Sequence, residues 1–392
     1  MRKIFIFILI LTVFLTPNYA FGQTTEAPEV YAQGAVLMDG KTGRVLWEKN
    51  MGEKLPMAST TKIMTCILAL ESGKLEEIVE TSGTAAAAPK VKMGLARGEK
   101  HRLYDLLYPL MLQSSNDAAV AIAEHIGGSV EGFAHMMNEK AIQIGALNTE
   151  FVTPNGLDSG NHHSTAYDMA LITRYALKNE EFLKIINTPS ITIPLKNMDE
   201  KSYTVYNKNR LLNEYSGAIG VKTGFTGRAG NCFVGAAQRN GMTLISVVLA
   251  SGWGSLGKER KWSDTKKILD YGFDNFSLVK IMDGGADTGN APVAVSKDGF
   301  VSTETENEGW ACISAEEAEN LRTDIEFKNY IEAPVLKGEI VGKASVYTEN
   351  GEKLFETNIL ADSNVERHDF NSCLKKVINL WLNMDFKFIL CI

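Results

Sequence analysis

The sequence lacks the features that mark several large classes of protein. Its 392 residues carry a formal net charge of −7, so the basic excess that nucleic-acid binding requires is missing. Its five cysteines are odd in number and irregularly spaced, and no two of them form a CxxC pair. We therefore expect neither a disulfide framework nor a structural zinc site. Internal repeats and low-complexity tracts are also missing, which favours ordinary globular domains.

The sequence also lacks a long apolar run at its N-terminus. Arg2 and Lys3 precede an apolar stretch at 4–16 that is too short to cross a bilayer, which takes about 20 residues. A charged start, a short apolar core and small residues after it are typical of a secretory signal. We expect residues 1–22 to be a signal peptide cleaved after Gly22, with a rival site two residues earlier, and the protein to be exported. An uncleaved membrane anchor is the alternative.

The remaining length suits two domains. Short β-type runs at 35–38 and 44–47 flank a Gly-rich turn, and those at 231–238 and 242–250 flank an Asn-Gly turn, so each pair predicts a hairpin. Helical patterns occur at 58–72, 103–112, 117–126, 129–145, 165–178 and 262–271. Strands near both ends with helices between them predict an α+β domain over 23–275, whose sheet joins its two ends.

A different pattern begins near residue 276. Short alternating segments such as 339–347 and 353–360 are separated by Gly and Asn-Gly turns, which is typical of small β-sheets. We therefore expect a small all-β domain over 276–362.

The last segment, 363–392, has helical periodicity. Its apolar residues fall on one helical face, and lysines and asparagines occupy the other; the apolar residues are Phe370, Leu374, Val377, Ile378 and Trp381. A tryptophan-bearing apolar stripe opposite lysines suits the interface of a membrane, while the polar interruptions are too frequent for a membrane span. We expect an amphipathic anchor on the outer face of the cytoplasmic membrane. The alternative is a helix packed on the β domain.

The motif Ser-x-x-Lys on a helix places a hydroxyl and an amine one turn apart on the same face. A serine becomes a good nucleophile when a neighbouring base takes its proton, and a buried lysine can be that base because burial lowers the pKa of an amine. The spacing occurs at Ser59/Lys62, Ser255/Lys258, Ser263/Lys266, Ser277/Lys280 and Ser372/Lys375. Only Ser59 opens a strongly apolar helical run, so Ser59 is the predicted nucleophile and Lys62 the predicted base.

Two further motifs each occur twice. Ser114 and Asn116 lie at the junction of two apolar helical runs, where they can hold a proton relay, whereas the Ser-x-Asn copy at 159–161 lies in a polar loop. The Lys-Thr-Gly copy at 41–43 lies in a hairpin turn, which explains its glycine locally. The copy at 222–224 heads an apolar strand pair, where its cation and hydroxyl can bind a carboxylate.

In this order the three motifs resemble the serine penicillin-binding protein and β-lactamase superfamily. The strings MASTTKIMT, FVTPNGLD and GVKTGFTGRAGN are similar to those of the low-molecular-mass D-alanyl-D-alanine carboxypeptidases. The likeness covers roughly 30–275, and the β domain also resembles that family's second domain. The resemblance implies a transpeptidase-type catalytic domain, with an antiparallel sheet between helices on both sides, followed by a small all-β domain.

The resemblance also implies a role for each matching residue. They are Ser59 as acylated nucleophile, Lys62 as general base, Ser114 and Asn116 as the second catalytic element, Lys222, Thr223 and Gly224 as substrate-binding residues, and the backbone N–H groups of Ser59 and Phe225 as the oxyanion hole. The family also uses a distal arginine for the terminal carboxylate of the substrate, and both Arg260 and Lys261 are candidates for that position.

The activity implied is removal of the terminal D-alanine from peptidoglycan stem pentapeptides, with β-lactam antibiotics as covalent inhibitors and no metal or organic cofactor. Endopeptidase and transpeptidase activities on the same fold remain open. A class A-like β-lactamase needs a Glu-x-x-x-Asn base, and the best candidate, Glu150, is followed by Pro154 at that position. A catalytically silent wall-binding protein is the last alternative.

Overall fold

The computed structural model describes residues 25–195, 197 and 201–384, so the predicted signal peptide lies outside the described residues. Strands and helices of the first domain follow one another along the chain: β1 (Gly34–Asp39), β2 (Val45–Lys49), α1 (Lys62–Glu71), β3 (Ile78–Glu80), α2 (Gly83–Ala86), β4 (Lys100–Arg102), α3 (Leu103–Tyr108), α4 (Asn116–Gly127), α5 (Val130–Ile144), α6 (Ala166–Ala176), α7 (Glu180–Asn187), β5 (Ser190–Pro194), β6 (Ser202–Tyr206), α8 (Leu211–Glu214), β7 (Ala218–Thr226), β8 (Gly230–Arg239), β9 (Met242–Leu249) and α9 (Gly254–Asn275).

Five of these strands form one antiparallel sheet in the order β2-β1-β9-β8-β7. The first and last strands of the domain meet at its centre, where Leu37 pairs with Ser246, so the prediction that the sheet joins the two ends is confirmed. The β8–β9 hairpin turns at Asn240 and Gly241, whose φ angles are +50° and +79°. Asn-Gly tolerates this left-handed backbone, which is why that dipeptide predicted the hairpin.

Helices cover both faces of this sheet. One face packs against α1 and the helices α3 to α7, in a core that includes the buried Cys66 and Cys232. The other face packs against α9, where the rings of Phe233 and Trp262 lie 4.6 Å apart. Helix α9 begins at Gly254, well before the predicted 262–271. The prediction missed its first turns because they are polar and contain glycine, so they show no apolar stripe.

The second domain is all-β apart from one short helix, which confirms the predicted fold class. Its elements are β10 (Ser277–Met282), β11 (Asp287–Pro292), β12 (Phe300–Thr305), β13 (Gly309–Ile313), α10 (Ala315–Glu319), β14 (Arg322–Phe327), β15 (Ile340–Tyr347) and β16 (Lys353–Ala361). Strands β11, β12, β16, β15 and β14 form a five-stranded sheet in that order, and β10 pairs with β13. The β1–β2 hairpin of the first domain contacts this domain, because the Arg44 guanidinium binds the carboxylates of Glu317 and Glu352.

A last helix, α11 (Phe370–Met384), follows the β domain. The described apolar side chains on it are exposed, with Phe370 at 79% and Trp381 at 73%, so they do not pack on the β domain. The residues before it are held by that domain, because Val335 and Val365 form a β-bridge and the His368 N–H donates to the Val295 carbonyl. Within the described part of the chain, none of the helices is both long and apolar enough to cross a membrane.

Candidate active site

Ser59 lies in a 3-10 turn, Ala58–Thr61, that leads directly into α1. Ala58 and the two threonines after Ser59 are buried, so Ser59 is the accessible residue of the turn. The φ angle of Ala58 is +49°, a backbone conformation that residues other than glycine rarely adopt. The single helix predicted over 58–72 is therefore wrong in its first turn. A strained turn, instead of a regular helix start, presents the candidate nucleophile.

The Lys62 amine is fully buried and has three polar neighbours. Its Nζ lies 3.0 Å from Ser59 Oγ, 2.8 Å from Asn116 Oδ1 and 2.5 Å from the backbone oxygen of Asn155. A neutral primary amine has two hydrogens and one lone pair. The amide oxygen and the carbonyl oxygen are acceptors only, so they take the two hydrogens. The lone pair of Lys62 is then left for the hydroxyl hydrogen of Ser59.

Burial and a neighbouring positive charge both favour the neutral form of this amine. Burial lowers the pKa of Lys62 well below its usual value, and the positive charge of Lys222 lowers it further, against the opposite effect of Asp117. Burial also lowers the pKa of Lys222, to about 7, with help from the charges of Lys261 and Lys208. Neutral Lys62 can accept a proton, which is the property that a general base requires.

The Ser-x-Asn motif at 114–116 lies at a break between helices α3 and α4. Helix α3 continues into a π-turn, Pro109–Gln113, and ends at Ser114, whose φ angle is +67°. Helix α4 then starts at Asn116, whose Oδ1 faces Lys62 while its Nδ2 donates to the Pro89 carbonyl, 3.1 Å away. These two contacts fix the amide orientation. The structure therefore brings Asn116 into contact with the candidate base and leaves Ser114 half-buried beside it in the chain.

The Lys-Thr-Gly copy at 222–224 lies on β7, at the edge of the sheet and against the Ser59 turn. A Cβ atom at Gly224 would lie 3.0 Å from the Met57 carbonyl oxygen and 3.2 Å from the backbone nitrogen of Ser59. These distances are shorter than ordinary Cβ contacts, so glycine favours this close approach. It brings Phe225, the other predicted oxyanion-hole residue, next to the turn, and leaves Thr223 half-buried.

The other copies of the motifs have local roles. In the copy at 41–43, the Thr42 hydroxyl donates to Asp39 Oδ2 at 2.6 Å, and the Lys41 amine lies 3.6 Å from the centre of the Trp310 ring in the β domain. In the copy at 159–161, the Asn161 amide donates to Glu150 Oε2 at 2.6 Å. That contact also occupies the glutamate considered above as a β-lactamase base.

Two contributors were missed by the sequence analysis. The Asn155 carbonyl binds Lys62, and Gly156 next to it has a φ of +81° and no room for a Cβ atom, which would lie 1.9 Å from the Ala58 oxygen. The Asn-Gly dipeptide was the available signal for this tight loop. The second is His162, which directly follows the polar loop at 159–161; it is only 4% exposed and contacts Thr61.

Arg260 and Lys261, the two candidates for binding the substrate carboxylate, have different surroundings in the structure. The Arg260 guanidinium lies over the Tyr31 ring, 4.0 Å from its centre. Lys261 is 9% exposed, and its charge is close enough to lower the pKa of Lys222. Burial lowers the pKa of Lys261 itself to about 8. Across the described residues, no group of three or more His, Cys, Asp or Glu side chains is arranged to hold a metal ion.

Comparisons with known proteins agree with this geometry. The family model described as D-alanyl-D-alanine carboxypeptidase matches residues 22–252, and the model of the penicillin-binding protein 5 C-terminal domain matches residues 276–367. The D-alanyl-D-alanine carboxypeptidase DacF of Bacillus subtilis is 34% identical over 366 residues, which cover 92% of each chain. DacC of Escherichia coli is 31% identical, over 92% of this chain and 90% of its own.

The solved structures give the same result. Penicillin-binding protein 5 from Haemophilus influenzae is 30% identical and superposes with a TM-score of 0.74, over 88% of this chain and all of its own. A family model that covers most of the catalytic domain, and relatives of this identity over nearly the whole chain, show the family directly. The chain belongs to the serine-type D-alanyl-D-alanine carboxypeptidases, the low-molecular-mass penicillin-binding proteins of the S11 peptidase family.

Proposed function

We propose that this protein removes the terminal D-alanine from peptidoglycan stem pentapeptides through an acyl-enzyme on Ser59. The observation that carries the assignment of Ser59 is the fully buried Lys62 amine, 3.0 Å from the Ser59 hydroxyl, with both of its hydrogens directed to other acceptors. The family acts on D-Ala-D-Ala peptides and binds β-lactams. We therefore also propose that penicillins acylate Ser59.

In the acylation step, Ser59 Oγ attacks the carbonyl carbon of the penultimate D-alanine and its proton moves to Lys62 Nζ. The backbone N–H groups of Ser59 and Phe225 stabilise the negative oxygen that forms. The C–N bond to the terminal D-alanine then breaks, and the leaving nitrogen takes the proton held by Lys62 through the Ser114 hydroxyl, which returns Lys62 to its neutral form. Water, deprotonated by the same base, hydrolyses the ester and restores Ser59.

The terminal carboxylate of the substrate needs cations at the β7 edge. We assign this role to Lys222 and Lys261, with the Thr223 hydroxyl as a hydrogen-bond donor, rather than to Arg260, which is engaged with Tyr31. Both lysines have a pKa lowered by burial, to about 7 and about 8. A bound carboxylate favours their charged forms, so substrate binding is expected to weaken as the pH rises through about 7 and about 8, where the two free lysines lose their charges.

Incubation with diacetyl-Lys-D-Ala-D-Ala, with assay of free D-alanine and of labelling by a fluorescent penicillin, tests the function. We expect D-alanine release and a long-lived penicillin adduct. Rapid turnover of penicillin without peptide cleavage would contradict the proposal and indicate a β-lactamase.

One observation supports transpeptidation as a second candidate. A solved structure described as a DD-transpeptidase, from Streptomyces K15, is 35% identical over 63% of this chain, with a TM-score of 0.59. Both reactions share the acyl-enzyme and differ in whether water or an amine accepts the acyl group. Addition of an amine acceptor to the same assay distinguishes them, because transpeptidation gives an aminolysis product while D-alanine is still released.

The duplicated Lys-Thr-Gly motif provides an internal control for the site. Lys222→Ala is expected to slow penicillin acylation of Ser59 by about 100-fold, because it removes the buried cation for the carboxylate and the charge that lowers the pKa of Lys62. Lys41→Ala is expected to stay near the wild-type rate, since Lys41 contacts Trp310 in the β domain. The measurement is the second-order rate of labelling; equal losses in the two variants would refute the choice of 222–224.

We further propose the domain organisation and location of the protein. Residues 1–22 are the signal peptide, 23–275 the catalytic domain, 276–362 the β domain and 363–392 the anchor segment. The exposed apolar side chains of α11, opposite its polar face, support attachment to the outer face of the cytoplasmic membrane.

Removal of α11 is expected to release the protein from membranes. The signal-free chain should sediment with phosphatidylglycerol–phosphatidylethanolamine liposomes, whereas a chain stopped after Asp369, which keeps the β-domain contacts of residues 365–368, should stay in the supernatant. Trp381→Asp places a charge on the apolar face and should weaken binding, and Asn379→Asp adds the same charge to the opposite face as a control. Equal sedimentation of the truncated and full chains would exclude the anchor.

A further inference from the structure

The buried imidazole of His162 connects two segments of the site that are far apart in the sequence. Its Nδ1 accepts a hydrogen bond from the Val152 N–H at 2.9 Å, and its Nε2 lies 2.9 Å from Thr61 Oγ1. The Thr61 hydroxyl in turn donates to the Ala58 carbonyl at 2.7 Å. Val152 begins the loop that contains Asn155, and Ala58 begins the turn that contains Ser59.

These contacts define one protonation state of the ring. A backbone N–H can only donate, so Nδ1 must carry no hydrogen, and the neutral ring then has its hydrogen on Nε2. Thr61 uses its own hydrogen for Ala58 and therefore accepts from Nε2. Each group in this series of hydrogen bonds, which runs from Val152 through His162 and Thr61 to Ala58, thus acts as either donor or acceptor in a consistent way. Burial lowers the pKa of His162 to about 4, which agrees with a neutral ring.

The turn and the loop need such a connection. The carbonyl of Ala58 belongs to the residue with the left-handed backbone, and it lies where Gly156 leaves no room for a Cβ atom. A strained backbone persists only where its surroundings hold it in place. The Ser59 hydroxyl and the Asn155 carbonyl must both stay within hydrogen-bond distance of Lys62 for proton transfer.

We propose that His162 is a positioning residue: through Thr61 it holds the Ser59 turn against the Asn155 loop, so that the nucleophile and the carbonyl keep their distances to Lys62. It touches neither substrate nor a reacting atom, and its effect is transmitted by hydrogen bonds alone. The inference rests on the proposed role of Ser59 as nucleophile. It adds a residue outside the three motifs that sets the acylation rate.

The test distinguishes the hydrogen bond that Nδ1 accepts from Val152 from the one that Nε2 donates to Thr61. In His162→Asn the amide oxygen can still accept from Val152, but no donor reaches Thr61. In His162→Gln the longer amide can place an N–H near the position of Nε2. We expect His162→Asn to lower kcat on diacetyl-Lys-D-Ala-D-Ala and the rate of penicillin acylation by about 10- to 100-fold, with KM changed less than twofold, and His162→Gln to recover most of this loss.

Thr61→Val, which is nearly isosteric, is expected to give the same loss as His162→Asn, and the double variant no more than either single one, because all three break the same connection. His101→Gln is the control, since His101 is equally buried in the same domain but lies on β4, outside these contacts. It should acylate at the wild-type rate.

Acylation within twofold of wild type in both His162→Asn and Thr61→Val would overturn the proposal, as would fully additive losses in the double variant. If the wild-type protein is not labelled at Ser59 by penicillin, the proposed function fails instead. The two failures are therefore distinguishable in one experiment.

Discussion

Ser59→Ala is expected to abolish both D-alanine release and covalent labelling by penicillin. Without the hydroxyl no acyl-enzyme can form, and loss of the nucleophile costs on the order of 10⁶ in rate in a Ser-His-Asp hydrolase, which also forms an acyl-enzyme. The measurement is labelling by a fluorescent penicillin together with mass spectrometry of the intact protein. Ser255→Ala, which changes another Ser-x-x-Lys match, is the matched control and should label normally.

The Ser59→Ala protein should fold normally, so that its inactivity has a chemical cause. Ser59 Oγ contributes little to the fold: apart from Lys62, its hydrogen-bond partner is the Asn155 carbonyl at 3.4 Å, a long and weak contact. We expect the free energy of unfolding to change by less than about 1 kcal/mol. A penicillin adduct on a different serine of the variant would show that the nucleophile was assigned wrongly.

The positions of the candidate-site motifs were predictable because local patterns distinguish their copies. An apolar helical run after Ser59 predicts that Lys62 is buried, and the structure has it fully buried. The hairpin pattern around 41–43 likewise predicts a turn, and Gly43 has a φ of +83°. Burial and turn conformation depend on neighbours within a few residues, which the sequence displays directly.

The remaining contributors depend on contacts between distant segments. The Asn155 carbonyl binds Lys62 across 93 residues of sequence, and His162 contacts Thr61 across 101. A backbone oxygen has no residue type that could reveal it, and a histidine among Asn, Gly and Ser has the composition of a turn. The strain at Ala58 is equally hidden, because alanine has no preference for a positive φ that a pattern could detect.

Lys62→Met is expected to lower the acylation rate by about 10²- to 10⁴-fold while leaving the fold intact. Methionine is a long unbranched side chain that fills the buried position, but it has no lone pair that can take the Ser59 proton. Lys62→Arg should acylate as slowly, because a guanidinium stays charged at any working pH, and it also places an uncompensated charge in a buried site. Methionine keeps the volume of the side chain, and arginine keeps its positive charge, but neither can act as a base. Slow acylation in both variants would therefore show that the basicity of Lys62 is what matters.

The pH dependence of acylation is expected to identify Lys62 as the titrating group. In the wild type only the neutral amine accepts the proton, so the rate should fall as the pH drops through the pKa of Lys62, which burial and the charge of Lys222 hold well below its usual value. In Lys62→Met the plateau above this pKa should disappear, leaving a slow rate that keeps rising with hydroxide concentration and shows no inflection. If Lys62→Met kept both most of the wild-type rate and the same acid limb, another group would be the base, and Lys62 would serve only to orient Asn116 and the Asn155 loop.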